Sequence, residues 1–360
     1  TLNADSRTRL LYKFNADKTG TYDVSLKAAA DGYLDAVTRQ IKIVPRGFPV
    51  EQPASGIIGP NKPFERVFNI APDISAGSMQ AAVKVYPTPL ANLEEALTAL
   101  LRKPYGCFEQ TSSTSYPLVM AQQYFMTHTG ISPDKIKQAD ELLQESYKKL
   151  ISFESPEKGY EWFGGNPGHE ALTAYGLMQF LEMKTVMPVD EAMIDCTRNW
   201  LMDRRDGKGG YERNPKALDS FGAAPVPLTN LYITWTLLES GEKPETLKAE
   251  IEAARKILES TKDPYMTALG MNIMYLANDK AFAGKLAKSL MAKQGKDGSF
   301  SGAETSITRS GGMTLTIETT SFAIIGFLRL GDDYAGSVEL ATKWLFEQCK
   351  SGGFGSTQST

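Results

Sequence analysis

The chain has 360 residues, 42% of them hydrophobic, with 39 Lys+Arg against 42 Asp+Glu and a formal net charge of -3. That length allows two or three domains with real cores. The near balance of charge removes the electrostatic case for a nucleic-acid or anionic-membrane partner, and no apolar run reaches membrane-spanning length. Three cysteines (Cys107, Cys196, Cys349), odd in number and far apart, imply no disulfide framework. Two histidines (His128, His169) leave little for a metal centre or a His-dependent catalyst. The opening TLNADSRTRL lacks the apolar segment of a signal peptide. The chain ends at GGFGSTQST on a helix-cap signal with no helix after it, so it reads as a piece of something longer.

The first elements are β. Arg9–Ala16, Gly20–Ala30 and Tyr33–Val44 carry apolar residues near period two, separated by turn residues at Asp17–Gly20 and Asp31–Gly32. Val44–Pro63 is rich in Pro and Gly and reads as a boundary. Two further strand-like runs follow, Phe64–Pro72 and Gly77–Pro87, too few to close a sheet alone.

From about Leu90 the period becomes helical, first at Leu90–Lys103 and then at Thr114–His128. Beyond these the chain repeats itself. EKGYEWF, GKGGYER, GKDGSFSG and SGGFGST share a Gly-aromatic turn. A polar-capped helix leads into three of them (DEAMIDCTRNWLMDRRD, KAFAGKLAKSLMAKQ, SVELATKWLFEQCK). A more apolar helix follows the first three (ALTAYGLMQFLEM, LTNLYITWTLLES, TTSFAIIGFLRL). The spacing, roughly 50 to 90 residues, leaves room for a hidden pair whose inner helix is Pro264–Asp279. Alternating outer and inner helices suit a closed ring of helix hairpins, with an open solenoid as the alternative.

RKPYGCFEQTSS, Arg102–Ser113, sets Cys107 three residues before Gln110, behind a Pro104-Tyr105-Gly106 turn. Residues three apart on a helix share a face, and the positive helix N-terminus favours a thiolate. A thiolate beside a carboxamide can expel ammonia and form an internal thioester. Spacing alone leaves two other readings open: a buried helical cysteine beside an exposed glutamine, and a papain-like nucleophile, which would need an activating histidine.

PYGCFEQTSS resembles the thioester motif of the α2-macroglobulin and complement superfamily, usually Gly-Cys-Gly-Glu-Gln. Gly106, Cys107, Glu109 and Gln110 match, and Phe108 replaces a glycine, as in bacterial members. VPRGFPVEQ, HEALTAYGLMQF, SFGAAPVPLTNLYITW and TTSFAIIGFLRL are similar to family stretches in family order. GGFGSTQST is too, with Ser359 where the family has Asp.

The resemblance implies a mixed architecture: the end of a macroglobulin-like β-sandwich over residues 1–46, the first part of a CUB β-domain over 47–88, and an α/α-toroid thioester domain over 89–360. It implies a single-use protease inhibitor, not an enzyme. A Cys107–Gln110 thioester is attacked by a protease lysine after a bait region elsewhere is cut, and Tyr105, Gly106 and Glu109 shield or orient the bond. No cofactor or metal is implied. The expected partners are target proteases, and in the bacterial envelope a peptidoglycan synthase, for a periplasmic, lipid-anchored protein; a non-bacterial member would be extracellular. Some complement members direct the acyl group to hydroxyls with a histidine about a hundred residues past the cysteine. Asn214–Pro227 here has none, so amines are expected to be favoured. His169 is expected to support a loop or a helix start rather than to act in catalysis. Two rivals remain: a thioester used to attach to a surface, and a terpene-cyclase or prenyltransferase-like toroid, for which Asp332–Asp333 is a lone acidic pair without the histidines of a zinc site.

Overall fold

The structure, a computed structural model, describes residues 9–349 apart from 16–17, 19, 31, 45–47, 49, 53, 55, 57, 61–62, 75–77, 86–96, 99, 129–130 and 215–223. The chain divides into two compact units, Thr1–Val85 and Tyr86–Thr360.

In the first unit β1 (Gly20–Ala30) pairs antiparallel with β2 (Tyr33–Ile43), Gly20 facing Ile43 and Ala30 facing Tyr33. Alternation places Tyr22, Val24 and Leu26 on one face with Ile41 and Val37. Asp23, Ser25 and Lys27 lie on the other, where the Ser25 and Thr38 hydroxyls meet at 2.8 Å. This hairpin is the only sheet among the described residues. The strands expected at Arg9–Ala16, Phe64–Pro72 and Gly77–Pro87 are not formed: residues 9–15, 63–71 and 78–85 belong to no strand. A period-two pattern becomes a strand only where a partner supplies ladder hydrogen bonds, and none does among the described residues. The expected β-sandwich and CUB pieces are therefore not displayed by the described residues.

The second unit is helical: α1 (Phe108–Thr127), α2 (Pro133–Ile151), α3 (Glu170–Met183), α4 (Glu191–Asp203), α5 (Val226–Glu239), α6 (Lys248–Ser260), α7 (Pro264–Leu276), α8 (Lys280–Met291), α9 (Gly312–Leu330) and α10 (Ala335–Gln348). The helix expected over Leu90–Lys103 is helical, within its described part, only at Leu97–Thr98. Pro104 disfavours helical geometry at Lys103, and the backbone turns instead.

The layers follow from sequence. α4 buries Ile194, Thr197 and Leu201, and α6 buries Glu250, Ala254 and Leu258, one stripe each. α3, α5 and α7 bury residues all round, Leu172, Ala174, Leu177, Met178 and Phe180 among them on α3. Accordingly α1, α3, α5, α7 and α9 pack side by side in succession as an inner layer. α4, α6 and α8 each close from outside on two successive inner helices, and α2 and α10 on α1 and α9. The arc curves tightly. Trp235 of α5 sets its ring against Phe322 of α9 at 5.1 Å, and Arg329 of α9 reaches Glu239 of α5 at 2.5 Å, both past α7. A straight solenoid would keep these helices apart. α1 and α9 are not a closely packed pair, so the described helices form an arc of the expected toroid. α9 is long and apolar enough to cross a bilayer, but it packs on α7, α8 and α10 as an inner helix.

The repeated turns have one physical cause. Gly159, Gly209 and Gly298 all have positive φ, at +74°, +93° and +99°. A Cβ on them would meet Trp200 of α4 at 2.7 Å, Ala249 O of α6 at 2.7 Å and Leu340 O of α10 at 2.2 Å. Each turn thus lies against the next outer helix, at a distance only glycine allows.

Candidate functional site

Cys107 is the N-cap of α1, with extended backbone (φ -79°, ψ -176°). It closes a capping box with Gln110: the thiol takes the Gln110 N–H, and the Cys107 N–H donates to Gln110 Oε1 at 3.2 Å. The glutamine side chain therefore folds back over the helix start. Its path is fixed by Gly106, whose φ is +74° and whose added Cβ would stand 1.8 Å from Gln110 Oε1 and 2.7 Å from Gln110 Cδ. Only glycine leaves room for the carboxamide there. The acyl carbon, Gln110 Cδ, and the sulfur that would attack it thus belong to one turn. The carbonyl oxygen already points at a backbone donor that could stabilise an oxyanion. Cys107 is 9% exposed while Gln110 is open to solvent, so the pair sits at the surface with its sulfur sheltered.

Phe108 anchors this turn. Fully buried, its ring packs 5.1 Å from Tyr160 and edge-on to Phe153 at 6.2 Å, over Gly176 of α3. Its N–H donates to Trp162 O at 2.9 Å. The bulky residue in the family's glycine position is thus the plug that seats the helix. Trp162 in turn sets its ring edge-on to His169 at 4.9 Å. His169 is the N-cap of α3, its Nδ1 accepting the Leu172 N–H at 3.3 Å, as expected of a helix-starting residue.

Glu109 follows Phe108 in the first turn of α1. Only 7% exposed, it accepts from the Ser113 hydroxyl at 3.2 Å, and burial pushes its carboxyl above the usual range, partly offset by that bond. Tyr105 is half exposed, and its carbonyl accepts from Thr111 Oγ1 at 3.2 Å, tying the approach to the first turn of α1.

Within Asn214–Pro227, where the hydroxyl-directing histidine was sought, residues 215–223 lie outside the described residues, as does Gly352–Thr360. Asn214 is held by its N–H on Glu170 Oε1 at 3.0 Å, and Arg204 reaches the same oxygen at 3.0 Å. Asp332 and Asp333 form part of one 3-10 turn after α9. Among the described residues no group of three or more His, Cys, Asp or Glu is arranged to hold a metal ion. The sequence reading gave no role to Glu161 and Trp162, some fifty residues from the motif; only their place inside the EKGYEWF repeat could have drawn notice.

A curved double layer of helices that opens at a Gly-Cys-x-Glu-Gln cap defines a thioester-type domain. The model of the A-macroglobulin TED domain matches residues 76–360, and the chain belongs to that family. Curated relatives include venom factor of Crotalus adamanteus and complement C3 of Naja naja, each 24% identical over 95% of this chain and 22% of the relative. Alpha-2-macroglobulin-like protein 1 of Mus musculus is 24% identical over 72% of this chain and 18% of its own length. Among solved structures, Salmonella alpha-2-macroglobulin reacted with methylamine shares the fold at a TM-score of 0.52 and 16% identity, over 74% of this chain and 17% of that one. The chain thus spans about a fifth of the length of the relatives it matches.

Proposed function

We propose that this chain carries an internal thioester between Cys107 and Gln110 and uses it once, to attach covalently to an amine on a target protein. The observation that supports this most directly is the folded-back Gln110 side chain, with Oε1 on the Cys107 N–H and Cδ packed over Gly106. In the first step Cys107 Sγ attacks Gln110 Cδ, the Cδ–N bond breaks, and ammonia leaves with the thiol's proton. In the second, a lysine amine attacks Cδ, the C–S bond breaks, and one amine proton passes to sulfur. The products are an isopeptide amide and a free thiol, so there is no turnover and the protein is not an enzyme.

The finer reading is a protease inhibitor. Cleavage of a bait region elsewhere in a longer protein would expose the bond to the lysines of the attacking protease. In this reading residues 1–46 and 47–88 belong to macroglobulin-like and CUB β-domains, and the protein works in the cell envelope, beside a peptidoglycan synthase. Amines are preferred over hydroxyls.

Intact mass before and after methylamine tests the chemistry, with Cys107→Ala as control. The expected result is a native mass short by one ammonia, which rises by one methylamine and frees one thiol. A full mass with a permanently free thiol in a freshly folded, longer protein would defeat it.

A further inference from the structure

The first N–H groups of an α-helix have no partner within the helix. In α1 the earliest of them, that of Phe108, is taken by the Trp162 carbonyl at 2.9 Å. This bond lands on the residue directly after Cys107, so whatever places the Trp162 carbonyl also places the reacting pair. The loop bearing it is rich in glycine (Gly164, Gly165, Gly168), and Gly164 has a φ of +78°. A segment of that composition does not hold one shape unaided.

Glu161 supplies the restraint. Its side chain is 7% exposed, and Oε2 accepts both the Phe163 N–H at 2.7 Å and the Gly165 N–H at 3.0 Å. A carboxylate oxygen shared by two backbone donors makes stronger, charge-assisted bonds. The backbone on the other side is tied as well: the Tyr160 N–H donates to Thr173 Oγ1 at 2.8 Å, and the His169 N–H to Tyr160 O at 2.8 Å. Trp162 is thereby clamped between α3 and the Glu161 carboxylate.

We propose that Glu161 is a positioning residue for the thioester: acting through the Trp162 carbonyl and the Phe108 N–H, it holds Cys107 and Gln110 in reacting register. The proposal rests on the thioester reading above. The chain contains its own control. In the Arg205–Tyr211 turn, Asp206 Oδ1 accepts the Lys208 N–H at 2.7 Å and the Gly210 N–H at 2.9 Å. That turn lies against α6, where Gly209 approaches Ala249.

The test compares Glu161→Ala, Glu161→Gln and Asp206→Ala with the parent chain, each well below its melting temperature. Two readouts are taken: the ammonia-deficient fraction and its hydrolysis rate by intact mass, and amide exchange over residues 107–111. Glu161→Ala is expected to lower the thioester fraction, or speed hydrolysis, by about tenfold or more, the scale on which small misplacements act. Its Phe108 amide should exchange faster. Glu161→Gln, whose amide oxygen can accept both N–H groups, is expected to restore most of the effect. Asp206→Ala is expected to lower the melting temperature and leave both readouts unchanged. An equal response from Asp206→Ala, or none from Glu161→Ala, overturns the proposal. If neither the parent chain nor a freshly folded, longer protein shows an ammonia deficit, the thioester reading fails and the thioester role of Glu161 with it; exchange then decides only whether Glu161 holds the Phe108 turn, which selective loss of Phe108 protection in Glu161→Ala upholds and unchanged exchange overturns.

Discussion

Two inner helices, α1 and α7, begin in opposite ways. α7 starts on Asp263, whose Oδ1 accepts the Met266 N–H at 2.8 Å while Oδ2 accepts the Glu304 N–H at 2.7 Å, with Pro264 at the first helical position. A carboxylate at the positive end of a helix with Pro behind it is a cap that stabilises. α1 gives the same position to a thiol, a poor acceptor, and has to be held from outside by the Phe108 ring and the Trp162 carbonyl. The difference teaches that reactivity was placed where a helix normally takes its local stability, and that neighbouring elements make good the loss.

The comparison can be broken most severely at the plug. Phe108→Ala removes a fully buried ring and should cost about 3–5 kcal/mol, read as a shift of the urea midpoint. A loss below about 1 kcal/mol, the scale of an exposed site, would mean that α1 is seated by something else. Gly106→Ala comes next. A side chain at φ +74° costs about 1–2 kcal/mol, and its Cβ would displace the carboxamide. The expected outcome is a folded, destabilised protein with no ammonia deficit and no methylamine uptake; normal uptake would show that Gln110 does not need the space over Gly106. The caps themselves sharpen the contrast. Asp263→Ala should cost about 1–2 kcal/mol and leave methylamine uptake intact. Cys107→Ser should abolish uptake while changing stability by less than about 1 kcal/mol, since serine is the better cap.

The smallest effect is expected in the pH dependence. Burial raises the Glu109 carboxyl above its usual range, so between the unfolded and folded pKa the native state binds more protons than the unfolded one. That contribution to stability is present at low pH and is lost as pH rises through the raised folded pKa. Melting temperatures measured from acid to neutral pH should therefore fall less in Glu109→Gln than in the parent chain. Parallel curves would remove Glu109 from the account.

Much of the helical unit was legible because the three repeat turns among the described residues answer one constraint. The glycine of each turn meets the next outer helix, and every apolar helix in the reading, Pro264–Asp279 included, forms an inner helix. The proximity of Cys107 and Gln110 followed from helical spacing behind a glycine. What failed had a shared cause. The strands over Arg9–Ala16, Phe64–Pro72 and Gly77–Pro87 needed pairing partners that local alternation does not specify, while most of Leu90–Lys103 lies outside the described residues. Trp162 acts through its backbone carbonyl, which leaves no mark on residue type, and Glu161 through a carboxylate whose loop N–H partners no sequence spacing specifies.

The three Gly-aromatic turns among the described residues differ in how many duties they carry. Those at Arg205–Tyr211 and before α9 have only to let the next outer helix approach, at Gly209 and Gly298. The one at Glu154–Tyr160 does this at Gly159 and also leads into the loop that meets α1. In a library of variants selected for folding alone, all three turns should accept change alike. Selected for covalent capture, the first should become the narrowest, so the gap between the two tolerance profiles would map how far the reactive site reaches into the scaffold.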